Sequence, residues 1–413
     1  MNEQIIFHID VNSAFLSWSA LAQLESGSGV DLRLIPSIVG GDMSKRRGVV
    51  LAKSIPAKAY GITTGEPVAN AFRKCPNLVT VPPDHKLYYR QSSRLMEYLS
   101  DISPDIEQVS IDECYMDYTP IASRYTSPKA AASMIKDSIY EKFGFTVNVG
   151  ISDKKVLAKM ASDFKKPNLV HTLYAHEIEE KLWPLPVSSL FMCGRSSVDT
   201  LHKLGILTIG DLAKANPDIL ESHLKSHGIT LWNYANGRDD STVLSEPAKL
   251  KGVGNSTTLA EDVTTRQDAS KTLLELAESV AGRLRASDQL AGLVCTEIKY
   301  SDFHSASHQT ILDIPTCSTD VIYRQALALF DELWNGNPIR LLGIRTAKLV
   351  SDSEPIQLSL FDYTKPVSEK QQRLDEALDK IRSRFGEDAI KRGSLMGYKT
   401  PSDSDHGNGD NNT

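Results

Sequence analysis

Two apolar runs that close on carboxylates constrain this chain more than anything else in it. One is Ile5-Ile6-Phe7-His8-Ile9-Asp10-Val11; the other is Gln108-Val109-Ser110-Ile111-Asp112-Glu113-Cys114. Branched and aromatic residues dominate both and turn residues bound them, so each reads as a buried strand ending in acid. If the strands are neighbours, Asp10, Asp112 and Glu113 meet at one end of a sheet. Three carboxylates resist sharing a site unless cations neutralise them. Hard divalent cations, Mg²⁺ above all, take oxygen ligands, and two of them can clamp an in-line phosphoryl transfer. The plainer alternative is that each acid caps a strand at a solvent edge, the ordinary fate of a lone Asp. Neighbouring motifs decide between the two.

A chain of 413 residues is expected to hold several domains. Its first residues, Met1-Asn2-Glu3-Gln4, lack the basic flank of a signal peptide, and no 18-residue apolar span is present, so a cytoplasmic protein without a membrane partner is expected. Five scattered cysteines with no CxxC spacing argue for a reducing compartment and against structural zinc. The net charge of −6 gives no general support for nucleic-acid binding, which must then rest on local patches.

Along the chain, residues 1–36 read as a strand, a helix from Ser13 to about Leu24 and a second strand. Residues 37–75 are turn-rich and basic, with Lys45, Arg46, Arg47, Lys53 and Lys58 among glycines. Helical patterns over Lys86–Leu99 and Lys129–Phe143 flank the second acidic run. A strand, Phe145–Ile151, leads to a helix that starts near Ser152, capped by Ser152 or Asp153, and stops before Pro167. Lys166 would then end that helix, where a cation suits the dipole. This alternation predicts an α/β domain closing near residue 167. Beyond it strand signals vanish and short helices with glycine turns run to residue 236. Residues 237–247 read as a linker. Residues 248–350 read as strand, helix (Ala269–Ala286), two strands, helix (Ser318–Trp334) and strand (Ile344–Val350). Ser351–Pro355 is a second linker, Ser368–Phe385 a charged amphipathic helix, and 401–413 a disordered tail.

Several side chains invite a chemical reading. Phe15 falls on the first turn after Asp10, where a ring could stack under a sugar and exclude a 2′-hydroxyl, or could simply fill a core. Lys58 could meet a polyphosphate as a point charge, or be a solvated surface lysine.

Taken together, HIDVNSAF, VVLAKSIPAKAYGI, VSIDE and VGISDKKVLAKMASDFKKPN, in this order and spacing, resemble the Y-family translesion DNA polymerases of the bacterial DNA polymerase IV group, over residues 4–362. The resemblance implies an α/β and α+β multidomain fold shaped as a right hand. Its palm would be 1–36 with 76–167, its small fingers 37–75 and its helical thumb 168–236. After the linker at 237–247, a little finger would span 248–350, and 351–400 would hold a clamp-binding strip and the C-terminal helix. It implies template-directed transfer from deoxynucleoside triphosphates to a primer 3′ end at low fidelity, with two Mg²⁺ ions on Asp10, Asp112, Glu113 and the Val11 carbonyl. A two-metal nuclease and a non-catalytic, clamp-associated DNA-binding protein are the rival readings.

By the same resemblance Phe15 stands at the steric gate, and Lys166 and Lys58 contact the triphosphate. The fingers depart from the family pattern: Ile55 and Lys58 stand where Tyr and Arg are common, and Ala52 where Thr is. The thumb segment Leu190-Phe191-Met192-Cys193-Gly194-Arg195 with Leu201-His202-Lys203-Leu204-Gly205-Ile206 resembles a helix-hairpin-helix, in which Gly194 and Arg195 would meet a DNA phosphate. Met192 stands where such hairpins often carry their first glycine. Residues 245–350 carry 11 Lys+Arg against 13 Asp+Glu, so DNA contact there needs one face or the backbone amides near Lys251–Gly254. Gln357-Leu358-Ser359-Leu360-Phe361 matches the strip by which bacterial polymerases dock on the sliding clamp: Gln357 by hydrogen bonds, Leu358 within the strip, and Leu360 with Phe361 as apolar anchors. A monomer that binds primer-template DNA is expected.

Overall fold

The computed structural model describes residues 4–41, 48–246, 249–353, 369–386, 389–390 and 392–393. They fall into two compact units that divide near residue 248.

The first unit begins β1 (Ile6–Val11), α1 (Ala14–Glu25), β2 (Ser37–Gly40), β3 (Val50–Lys53), α2 (Ile55–Ala59), α3 (Val68–Lys74) and β4 (Val79–Val81). It continues with α4 (His85–Ile102), β5 (Ile106–Gln108), β6 (Glu113–Asp117), α5 (Pro128–Phe143), β7 (Val147–Ser152), α6 (Lys155–Ser162) and β8 (Val170–Thr172). Five short helices close it: α7 (Ile178–Lys181), α8 (Arg195–Lys203), α9 (Ile209–Lys214), α10 (Pro217–Leu224) and α11 (Ser226–Ala235).

Its main sheet runs β5-β6-β1-β7-β8, with β1 central and antiparallel to both neighbours. The period of two sorts the side chains of β1. Phe7, Ile9 and Val11 enter a core built with α1, α4 and α5. His8 and Asp10 face the other way, in register with Tyr115 and Glu113 on β6 and with Gly150 and Asn148 on β7. Helix α6 lies on that second face, and Gly150 is what lets it. A Cβ there would stand 1.9 Å from the Ala158 carbonyl oxygen and 2.5 Å from the Ser162 amide nitrogen. The three-stranded sheet β3-β2-β4 has its own small core around Ile38, Val50, Ile62 and Val68.

Five local expectations are corrected. The second acidic run is not one strand: β5 ends at Gln108, and Glu113 opens β6 after a hairpin turn. Ser110 is the cause, because its hydroxyl donates to Asp112 Oδ1 (2.7 Å) and accepts from the Asp112 N–H (3.3 Å), bonds that compete with the ladder. Ser152 and Asp153 do not cap α6. Ser152 stays in β7 and donates to the Leu173 carbonyl, while Asp239, far along the chain, caps α6 by accepting from the Val156 N–H (2.9 Å).

Helix α6 stops at Ser162, so Lys166 sits in the following turn rather than on a helix end. There the buried Asn148 amide donates to the carbonyls of Ser162 (3.1 Å) and Lys165 (2.8 Å). Strands also continue past residue 167, since β8 pairs in parallel with β7; three partly polar residues are too few to show a period.

The stretch read as a linker is strapped down as far as Ser245. Lys155 donates to both oxygens of Glu107 (2.7 Å each) and to the Thr242 carbonyl (3.2 Å). Glu107 also accepts from the Leu244 N–H (2.7 Å), and Ser245 donates to Asp105 (2.8 Å). Val243 packs with Ile6, Tyr115 and Ala158.

The second unit contains β9 (Gly252–Val263), α12 (Arg266–Ala286), β10 (Gln289–Tyr300), β11 (Ser305–Thr316), α13 (Thr319–Leu333), β12 (Ile339–Ser351) and α14 (Glu369–Phe385). Its strands pair antiparallel in the order β11-β10-β12-β9, and α12 and α13 supply the other half of its core. Helix α14 is tied to α12 by ions: Arg285 to Asp379 (2.5 Å) and Arg382 to Glu278 (2.7 Å). Its buried Asp375 accepts from the Thr319 N–H (3.1 Å). Among the described residues no helix is long and apolar enough to cross a membrane.

Candidate active site

Asp10 and Glu113 of the sequence-predicted acids come together, with Asp112 next to them. Asp10 and Glu113 are paired across β1 and β6, and the Val11 N–H donates to the Asp112 carbonyl (2.9 Å), which draws the hairpin turn onto the end of β1. Asp10 and Glu113 therefore share the face on which α6 lies.

Lysines neutralise this cluster. Lys159, on α6 and only 12% exposed in its side chain, places Nζ 2.7 Å from Glu113 and 3.5 Å from Asp10. Lys166 places Nζ 3.0 Å from Asp10 and 2.9 Å from Asp163. The His8 ring and then the Lys159 ammonium hold the Glu113 carboxyl at about 2, against burial. Of the two, geometry favours Lys159: His8 Nε2 is 3.5 Å from Glu113 and has no hydrogen-bond partner among the described residues. Burial lowers the pKa of His8 itself, and Ser162 Oγ lies 2.8 Å from its Nδ1. Asp112 is raised instead, first by burial and then by Asp10 and Glu113, with the Ser110 hydrogen bond opposing. Burial works against both ammonium groups, but the surrounding carboxylates win and raise Lys159 and Lys166.

The donor set suits a hard divalent cation, since it offers carboxylate oxygen alone. As they stand, those oxygens are turned to Lys159, Lys166 and Ser110. Among the described residues no three acid, imidazole or thiol groups converge to hold a metal. Sequence patterning alone does not single out Lys159, His8 and Asn148. A polar residue facing inward on an apolar strand was the signal for His8 and Asn148. For Lys159 it was the i, i+4 spacing to Asp163.

Phe15, on the first turn of α1, is partly buried against the main core and stacks on Tyr88 with ring centres 4.3 Å apart and 7° between planes. Tyr88 is fully buried, with its hydroxyl 2.8 Å from Ser19 Oγ. On α2, Lys58 is exposed and makes no ion pair with a described residue and Ile55 is 60% exposed; Ala52, on β3, faces the core. Nearby cations add to burial in lowering the pKa of Lys53, Lys58 and Lys74 among them.

Gly194 precedes α8, whose first residue is the exposed Arg195, and a Cβ at Gly194 would touch nothing within 4 Å. Met192 adopts φ 65°, the left-handed conformation that a glycine takes more readily, and is 54% exposed. Gln357, Leu358, Leu360 and Phe361, like the tail at 401–413, lie outside the described residues.

Comparison with known proteins adds relatives to this geometry. Residues 9–163 match the impB/mucB/samB family, and residues 250–360 match the impB/mucB/samB family C-terminal domain. The chain is 44% identical over 393 residues to a DNA polymerase IV of Clostridium acetobutylicum, covering 95% of this chain and 98% of that one. It is 36% identical over 401 residues to a DNA polymerase IV of Acetivibrio thermocellus (95% and 98% covered). To DNA polymerase IV 1 of Bacillus subtilis it is 34% identical over 397 residues (95% and 93% covered). A solved Y-family DNA polymerase chimera superposes with a TM-score of 0.72 at 22% identity, covering 84% of this chain and 99% of that one.

Proposed function

Since the chain belongs to the impB/mucB/samB family and carries the Y-family polymerase fold, we propose that it extends a primer on a DNA template with the low fidelity of translesion synthesis. It is a DNA-directed DNA polymerase, a nucleotidyltransferase whose substrates are DNA and deoxynucleoside triphosphates. The observation that carries the reading is the pairing of Asp10 with Glu113 at the end of a buried sheet, with Asp112 drawn alongside by the Val11 N–H.

Dependence on a divalent metal goes with the family. Asp10, Asp112 and Glu113, with the Val11 carbonyl, would hold it, as two Mg²⁺ ions. Bound there, the metal supplies an acidified primer hydroxyl and charge compensation for the triphosphate and departing pyrophosphate. Lys166 adds a point charge for the triphosphate within reach of Asp10, and exposed Lys58 a second one, without the planar fork an Arg would bring. Exposed Ile55 offers no hydroxyl, so the grip on the triphosphate rests on the lysines. Phe15, backed by Tyr88, forms the wall that excludes a 2′-hydroxyl. The bare amide end at Gly194, with Arg195 beside it, would take a DNA phosphate.

The strip at Gln357, Leu358, Leu360 and Phe361 would dock on the bacterial sliding clamp. The working unit in this reading is a cytoplasmic monomer.

Extension of a labelled primer-template with Mg²⁺ and deoxynucleotides tests the reading. The wild-type chain should add nucleotides, and Asp112→Asn with Glu113→Gln should lose that by several orders of magnitude. Degradation of DNA without extension would point instead to a nuclease. Unchanged function of the double variant in cells would point to a scaffold.

A further inference from the structure

We propose that Lys159 is a resident counter-ion of the acid cluster, one that competes with divalent metal for Glu113 and Asp10 and so sets the metal affinity of the site. The proposal rests on the reading of Asp10, Asp112 and Glu113 as metal ligands, and it concerns a residue outside that set.

Three observations lead to it. Lys159 reaches two of the acids at once, at 2.7 and 3.5 Å from Glu113 and Asp10, where a cation between them would sit. Its side chain is nearly buried, which distinguishes it from Lys166, 35% exposed. And its position is enforced by the backbone, because α6 rests directly on Gly150 of β7 and cannot draw back without opening the sheet face. A lysine held in this way is part of the architecture.

The charge balance explains what it does. Asp10, Asp112 and Glu113 carry three negative charges when ionised, and Lys159 with Lys166 returns two. Without metal, that compensation keeps the acids from repelling one another apart. When metal arrives, the lone pairs of Glu113 that accept from Lys159 are among those a metal needs. The ammonium must give way, and Asp163 Oδ2, already 3.5 Å from it, is the carboxylate it can turn towards. The flexible lysine stem allows this shift. The cost of parting Lys159 from Glu113 is subtracted from the metal's own binding energy.

The test is a Mn²⁺ titration of the full chain without DNA, read by the loss of the free-ion electron paramagnetic resonance signal and paired with thermal unfolding with and without Mn²⁺. Lys159→Met and Lys159→Gln should each lower the Kd for Mn²⁺ by about tenfold, equivalent to about 1.4 kcal/mol. Both should unfold at lower temperature without metal and gain more from Mn²⁺ than the wild type does. Lys159→Arg, which keeps the charge, should bind Mn²⁺ as the wild type does. Unchanged or weaker Mn²⁺ binding in the two neutral variants overturns the proposal. So does a metal-induced stabilisation of those variants no larger than that of the wild type. A separate arm tests the reading beneath it: Asp112→Asn with Glu113→Gln should abolish the high-affinity signal. If that signal survives, the acids are not the ligands, and the assignment of Lys159 falls with them.

Discussion

Asp10 and Glu113 face each other across β1 and β6, yet neither is bonded to the other; both turn to the same ammonium, that of Lys159. Two like charges brought together by strand register are made tolerable by a cation from a helix. The register follows from alternation along two strands, and the cation from one glycine that lets the helix close.

That glycine gives a sharp expectation. Gly150→Ala would press a methyl group into the Ala158 carbonyl and the Ser162 amide, atoms of a helix backbone with no rotamer to change. Overpacking of that kind should cost about 3 kcal/mol or more in urea unfolding. Surviving folded protein should also bind Mn²⁺ more tightly, because α6 would carry Lys159 away from Glu113. A variant as stable as the wild type would show that α6 is not seated as described.

Phe15 should govern the choice of sugar. Phe15→Val or Phe15→Ala should raise incorporation of ribonucleotides relative to deoxynucleotides by about 10- to 100-fold, the ratio that relief of about 1.4–2.8 kcal/mol of steric overlap produces. Single-nucleotide insertion kinetics with matched dNTP and rNTP pairs give the number. Unaltered sugar discrimination would leave Phe15 as a core aromatic and nothing more.

Acid should weaken one local anchor in a defined direction. Burial alone would raise Glu177, but Lys181, the Tyr174 N–H and the Thr172 hydroxyl overcome it and depress its pKa. A depressed carboxyl stabilises the fold above its unfolded value, about 4.3, and that contribution is lost as pH falls through the folded value. Glu177→Gln should therefore cost about 1 kcal/mol at neutral pH, with the gap to wild type closing in acid. Urea unfolding at both pH values reads it, and a gap that widens in acid would reverse the sign.

The clamp strip is tested by its partner. Gln357→Ala, Leu360→Ala and Phe361→Ala together should leave basal primer extension intact and abolish stimulation by a bacterial sliding clamp. Equal stimulation of the triple variant would remove the strip from the docking surface.

Much of this molecule was legible in its residues, and the failures share a cause. Asp10 stands out because it closes a run dominated by branched and aromatic residues, and β1 forms there as that run implies. Asp112 and Glu113 lie beside Asp10, but not on one continuous strand: Val109 and Ile111 look like strand, and the Ser110 bonds that bend the chain leave no periodic trace. Lys166 reaches Asp10, though from a turn, because Asn148 captures the carbonyls that a longer helix would have used. The strap at 239–245 could not be read at all. Its holding partners, Glu107 and Lys155, lie many residues away, and its own composition is that of a loop.

The stacking of Phe15 on Tyr88 has a mechanical meaning. A ring free to swing would yield when pushed and would discriminate little, whatever its size. Here the ring is backed by a second, fully enclosed ring anchored at Ser19, so force applied to it is carried into the main core. The sheet β3-β2-β4, by contrast, has only a small core of its own. If Phe15 meets the sugar as proposed, this stiffness predicts strictness about the sugar that does not depend on how the base is held.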